Sequence, residues 1–253
     1  MCSTLSTKVT KFFFGLKNGN PKRHTACLIQ CNDKLAIMNN EKYIPALGYD
    51  RLTPFYDMVI GLTTREKLFK KVLAEQAEIK SNHRVLDLAC GTATLTILLK
   101  QIQPQAEIIG IDGDAKILEL AKEKVRQTGL EIQFDKGLSF DLPYLTESFD
   151  SVVSSLFFHH LTRENKLKTL GEIKRVLKPE GKFHIADWGL PANLLMRFSS
   201  RLIQMLDSFE TTADNFAGRM PELMADAGFE QIEETSRCNT FFGTIRFHKA
   251  LKT

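Results

Sequence analysis

The run Val85-Leu86-Asp87-Leu88-Ala89-Cys90-Gly91-Thr92-Ala93-Thr94 decides the fold. It reads as a short buried strand, a loop of small residues opening on an acid, and the first residue of a helix. Working outward, β-branched strand patterns recur at 84–88, 107–111, 132–135, 150–156 and 182–186, with helical periodicity near 94–101, 115–127 and 163–177 between them. Alternating strands and helices predict a doubly wound, mostly parallel sheet with helices on both faces. Asp114 and Thr162 are placed to cap the second and third helices, and Gly129 to end the second. The tail predicts helices at 191–207 and 212–227 and strands at 230–237 and 240–249. A short turn joins those strands, so one of the sheet's seven strands, the last, runs antiparallel.

In such sheets ligands bind beyond the carboxyl ends of the strands. The second strand ends Ile109-Gly110-Ile111-Asp112, which puts a carboxylate 21 residues beyond Gly91. A carboxylate there can accept both hydroxyls of a ribose. A dinucleotide is a poor match, because its pyrophosphate needs several glycines, and Asp87 would repel a phosphate. The pattern points to a nucleoside-like ligand that carries positive charge.

At these residues the sequence resembles the class I S-adenosylmethionine-dependent methyltransferases, in which an acid is followed by small residues at alternate positions, here Asp87, Ala89, Gly91 and Ala93. The resemblance covers about residues 45–250. It includes Asp141-Leu142-Pro143-Tyr144 with Ser148-Phe149-Asp150, the segment Ser154-Ser155-Leu156-Phe157-Phe158-His159-His160-Leu161, and Arg175-Val176-Leu177-Lys178-Pro179-Glu180-Gly181. Within the class the chain is most similar to the ubiquinone/menaquinone C-methyltransferase-like branch, with Tyr56-Asp57 matching an upstream Tyr-Asp. The resemblance implies a Rossmann-like methyltransferase fold and S-adenosyl-L-methionine as cofactor. It implies that Asp87, Ala89 and Gly91 line the methionine end, that Asp112 and Gly113 hold the ribose, that Leu138 and Ser139 meet the adenine edge, and that Ser155 also binds the cofactor; Tyr56 could close over the cofactor or pack among the N-terminal helices. Ala89 and Ala93 stand where glycines are common, and Leu138 where many relatives have an Asp.

His159 and His160 follow the fourth strand on the ligand side, so either could serve as general base; the alternative is that one caps the next helix and the other packs. Asp187 ends the fifth strand and could orient a histidine, contact substrate or cap the segment after Trp188-Gly189. Cys90 reads as a small buried residue, and Glu180 as a turn residue. Segment 193–206 is apolar almost all round, broken by Arg197 and Arg201. Such a helix is normally core. The family usually builds a substrate lid here, which implies a lipophilic acceptor with Arg197 or Arg201 meeting a polar group on it.

The 253 residues, 43% hydrophobic and 25% charged, are ordinary for a soluble globular chain and exclude collagen-like and disulfide-framework classes. Residues 81–253 make the catalytic domain, with a helical lid near 190–220, behind a helical cap at 43–80. The net charge of +4 divides unevenly. Residues 1–32 hold five bases and no acid, leaving residues 33–253 at −1. The basic leader, residues 1–42, reads as a disordered tail, an organelle address or a peripheral membrane contact. A near-neutral body, and no Asn/Asp-Pro-Pro-aromatic motif after the fourth strand, argue against a nucleic-acid partner. Five scattered cysteines, with Cys27 and Cys31 spaced CxxxC, fit a reducing, cytoplasmic setting and no metal site. The expected activity is methyl transfer to carbon or oxygen of a small apolar acceptor. A phospholipid N-methyltransferase and a non-catalytic binding module are the alternatives.

Overall fold

A computed structural model describes residues 66–240 and 243–253. The leader, Tyr56 and most of the N-terminal helical cap lie outside the described residues. Helix α1 (Glu66–Gln76) precedes strand β1 (Arg84–Leu88), α2 (Thr94–Ile102), β2 (Glu107–Asp112), α3 (Ala115–Arg126) and β3 (Gln133–Lys136). Strand β4 (Phe149–Ser155) leads through a single 3₁₀ turn (Phe158–His160) to α4 (Arg163–Val176) and β5 (Leu177–Gly189). Then come α5 (Leu194–Asp207), α6 (Phe209–Phe216), α7 (Met220–Asp226), β6 (Glu230–Asn239) and β7 (Thr244–Leu251).

The seven strands form one sheet in the order β3-β2-β1-β4-β5-β7-β6. Strands β1 to β5 pair in parallel, while β7 runs antiparallel to both β5 and β6. The strand order reverses between β1 and β4, the switch point at which an open parallel sheet leaves a crevice. Alternate residues of the central strands feed two cores. Leu86, Leu88, Val152, Phe183 and Ile185 pack against α4 and α7 on one face. Val85, Val153, Ala186 and Trp188 pack against α1, α2 and Phe216 on the other. Burial on both faces explains why these strands read as near-continuous apolar runs.

The expected caps form: Asp114 accepts from the Lys116 N–H and Thr162 from the Asn165 N–H. Gly129 adopts φ +69°. Two expectations need correction. The helix expected at 212–227 is two helices, because Gly218 at φ +76° and the loop around it break the run. Strand β5 also begins earlier than expected, with Leu177 already paired to Phe149. Lys178-Pro179-Glu180-Gly181 therefore belongs to the strand as an irregularity in its pairing, with Glu180 at φ +61°. A Cβ at Gly181 would lie 2.8 Å from the Lys178 carbonyl, so only glycine fits there.

Candidate active site

The loop after β1 holds the chain in an unusual conformation. Ala89, Gly91 and Ala93 have φ of +56°, +55° and +62°, a left-handed stretch in which two of three residues bear the steric cost of a Cβ. A Cβ built on Gly91 would meet nothing within 4 Å, so the backbone there faces open space. The same turn delivers the Gly91 N–H to Asp112 Oδ2 at 3.0 Å, while Asp112 Oδ1 accepts from the Asp114 N–H at 3.0 Å. Burial raises the Asp112 pKa despite those two backbone donors. Asp112 thus presents a carboxylate at the mouth of the crevice, pre-oriented from behind.

Asp87 sits deeper, fully buried at the end of β1. Thr96, on the first turn of α2, donates to its Oδ2 at 2.6 Å, and its Oδ1 has no partner among the described residues. Desolvation pushes its pKa up to about 7, partly offset by Thr96 and by the charge of Lys70 on α1. A buried carboxylate oxygen without a donor, beside open backbone, is a seat for a cationic group.

The segment from Leu138 to Tyr144 is braced from α4. Arg175 donates to the carbonyls of Tyr144 (2.7 Å) and Leu142 (3.0 Å) and pairs with Glu172, which accepts the Leu142 N–H at 2.7 Å. Leu138 bridges Asp141, and the Ser139 hydroxyl is spent on Thr169 at 2.9 Å, so Ser139 has its backbone to offer a ligand. Gly113 lies between Asp112 and the capping Asp114, and Ser155 is half-buried where β4 ends.

On the far side of the crevice the 3₁₀ turn carries the paired histidines. Asp187, buried at the end of β5, faces His159 Nδ1 at 2.6 Å. Its oxygens also accept N–H groups from Phe157 (3.2 Å), His159 (3.3 Å) and Trp188 (2.7 Å). Burial alone would raise its pKa; the charge and hydrogen bond of His159, with the Trp188 N–H, outweigh burial and hold the carboxyl below its ordinary value. The rings of His159 and His160 lie 4.0 Å apart. His160 keeps some solvent access, yet burial and then the charge of His159 push its pKa down to about 3, so it stays neutral. Helix α6 packs over this turn. Lys166 of α4, fully buried, donates to the Thr211 carbonyl at 2.6 Å, and Arg163 pairs with Asp214 at 2.7 Å.

The sequence pattern thus brings Asp87, Ala89, Gly91 and Asp112 together at one end of the crevice, and His159, His160 and Asp187 at the other. It does not bring in the arginines. Arg197 and Arg201 are exposed on α5, and among the described residues neither makes a hydrogen bond or ion pair with His159, His160 or Asp187. Sequence reasoning missed Thr96, the sole side-chain donor to Asp87 among the described residues, although a hydroxyl one turn into the helix after an acidic strand end was a usable signal. It also missed Asn215, buried on α6, whose Nδ2 donates to the Trp188 carbonyl at 3.3 Å and whose Oδ1 has no partner among the described residues. Asn215 borders a cavity of about 120 Å³ shared with Asp187, Met220, Arg246 and His248. Among the described residues no group of three or more His, Cys, Asp or Glu side chains could hold a metal ion.

Residues 79–234 match a family model described as a methyltransferase domain. Among curated proteins, the chain is 33% identical over 228 residues to the demethylmenaquinone methyltransferase of Lactobacillus johnsonii, covering 79% of this chain and 90% of that protein. It is 25% identical over 220 residues to the ubiquinone/menaquinone biosynthesis C-methyltransferase UbiE of Proteus mirabilis, covering 78% and 86%. Two solved structures share the fold. The YcgJ protein of Bacillus subtilis superposes with a TM-score of 0.62 at 18% identity, covering 72% of this chain and 97% of that one. A phosphoethanolamine N-methyltransferase of Haemonchus contortus, solved with S-adenosylhomocysteine, gives 0.62 at 16% identity, covering 78% and 56%.

Proposed function

Because the chain belongs to the methyltransferase domain family and is an S-adenosylmethionine-dependent methyltransferase, we propose that it methylates a ring carbon of a small, apolar, quinol-like acceptor. The observation that carries this reading is the buried His159–Asp187 pair across the crevice from Asp87 and Asp112. The names of the relatives, which act in menaquinone and ubiquinone synthesis, support the quinol.

S-adenosylmethionine supplies an electrophilic methyl group on a sulfonium centre. The chain's residues fit it: the unpartnered Asp87 Oδ1 answers a cation, Asp112 the ribose hydroxyls, and the open backbone at Gly91 admits close approach. The protein's remaining work is positioning and proton handling. A quinol carbon attacks best when its hydroxyl is losing a proton, since the oxygen lone pair then feeds the ring. With Nδ1–H donated to Asp187, the basic nitrogen of His159 is Nε2, which takes that proton while Asp187 balances the imidazolium. The ring hydrogen at the methylated carbon then leaves as a proton while the oxygen regains one from the His159 imidazolium, which restores the aromatic quinol with net release of a single proton. His160 stays neutral and adds a polar contact without a competing charge. Helix α6 packs over the turn that carries the histidines and helps keep water from the site. The setting we propose is an aqueous cytoplasmic one.

The test is transfer of a labelled methyl group from S-adenosylmethionine, comparing a demethylated prenyl naphthoquinol with phosphoethanolamine and with a phospholipid. Label appearing on the quinol ring carbon supports the reading. Label on the amine alone would replace it.

A further inference from the structure

Helix α5 turns its most hydrophobic exposed residues outward. Leu194 is 82% and Phe198 73% exposed, one helical turn apart, and Leu190 and Phe209 at the two ends of the helix are also open to solvent. Arg197 and Arg201 occupy the same outward stripe, because positions 194, 197, 198 and 201 fall on one side at 3.6 residues per turn. The opposite side carries Ser200, which is buried, and Met196 and Ser199, which are half-buried. Both arginines are exposed and make no ion pair among the described residues, and from Leu190 to Leu206 the chain has no acid.

Leucine and phenylalanine displayed to solvent between two arginines are an unusual make-up for the exposed stripe of a helix. That combination has a matching environment. Apolar side chains enter the acyl boundary, and arginines at their flanks meet lipid phosphates. An acidic protein surface would pair with the arginines but leave Leu194 and Phe198 uncompensated, so the chemistry favours lipid. No helix among the described residues is long and apolar enough to cross a membrane, so the contact lies in the interface plane.

We propose that the outward face of α5, built on Leu194, Arg197, Phe198 and Arg201, docks the enzyme on an anionic lipid surface. The placement suits access to an apolar acceptor, since α5 runs directly into α6, which covers His159 and His160. The docking face itself rests on the exposure and charge of α5, not on the acceptor's identity.

The experiment uses the full chain and sedimentation with vesicles of phosphatidylcholine alone or with about a third phosphatidylglycerol. Wild type is expected to partition at least tenfold more strongly onto the anionic vesicles. L194N/F198N is expected to lose most of that partition, and R197Q/R201Q to lose the preference for anionic lipid. Since the basic leader is intact in both variants, undiminished binding would show that lipid contact lies elsewhere and overturn the proposal. Affinity for S-adenosylhomocysteine, unchanged in L194N/F198N, reports an intact fold. A second readout is F198W, whose emission is expected to shift to the blue on vesicle addition; Trp188 is buried and does not respond. No shift overturns the proposal even if sedimentation persists. Binding by a wild type that leaves quinols unmethylated would reject the acceptor reading and keep the docking surface, and the converse result would do the reverse.

Discussion

Asp87 and Asp187 occupy equivalent places, each fully buried at the carboxyl end of a parallel strand, yet their surroundings drive them in opposite directions. Asp87 has one side-chain donor, one orphaned oxygen and a pKa pushed up to about 7. Asp187 has three backbone donors and a histidine, and its pKa is held below the ordinary value. Burial costs both carboxylates their hydration; the difference is whether the protein or a ligand replaces it. Asp187 is internally satisfied and serves its own chain by orienting His159. Asp87 is left incomplete, so its charge is best supported when a cation arrives. On the proposed function, one strand end is a finished device and the other a binding site.

The comparison can be broken most severely at the finished end. D187N removes the acceptor for His159 Nδ1 and leaves the ring without its counter-charge. A kcat fall of roughly 10²–10⁴ is expected, with stability lowered by about 3 kcal/mol, while affinity for S-adenosylhomocysteine stays near wild type. A Kd that moves as much as kcat would show that the two ends are not separable. The stability that Asp187 supplies tracks its lowered pKa. It is present above the unfolded carboxylate value of about 4 and is lost as pH falls below it, so D187N should unfold with a flatter acid limb.

Breaking the incomplete end should change binding and spare the fold. In D87N the cationic seat is gone, and cofactor affinity is expected to drop by about ten- to a hundredfold, on the scale of one or two charge-assisted contacts. The folded state should hold or gain stability, because a buried unsatisfied charge has been removed. T96V acts in the same direction at lower amplitude. Without its donor Asp87 titrates higher still, so less of it is ionised at pH 7, and a several-fold weaker Kd is expected. Equal Kd values for wild type and T96V would show that the hydroxyl plays no part.

The smallest effect sharpens the loop between the two carboxylates at the switch point. Ala89 is half-buried at φ +56°, where an L side chain is strained, so A89G should raise the denaturant midpoint by the equivalent of about 1 kcal/mol. A93G should gain less, since the Ala93 methyl packs with Ala121 and Val125. Equal gains would mean that packing at Ala93 is immaterial.

Legibility in the sequence depended on the range of the interactions involved. Strand ends, the caps at Asp114 and Thr162 and the carboxylate at Asp112 depend on neighbours within a few residues, and the residue pattern located them. The broken helix at Gly218 escaped because periodicity carries no sign of φ. The start of β5 escaped because pairing of Leu177 with Phe149 overrides the turn chemistry of Pro179 and Gly181. At the site, the pattern named Asp187 and His159, but the anchoring of α6 through Lys166 and Asp214 joins residues far apart in the chain, and no local signal marks it. The outward display of Arg197 and Arg201 was equally hidden, since a helix apolar almost all round does not say which side the body takes.

The contrast between the two aspartates is tested most directly by calorimetric titration with S-adenosylhomocysteine, whose ammonium retains the positive charge that Asp87 is proposed to meet. The titration is run across pH 6 to 8 in buffers of different ionisation enthalpy. An acid with a pKa near 7 that must ionise to receive a cation releases most of one proton on binding at pH 6 and little at pH 8, and affinity rises by about tenfold over that range. The expected result is that release in wild type and in D187N, and its absence in D87N. Proton release that persists in D87N, or that disappears in D187N, would contradict the account.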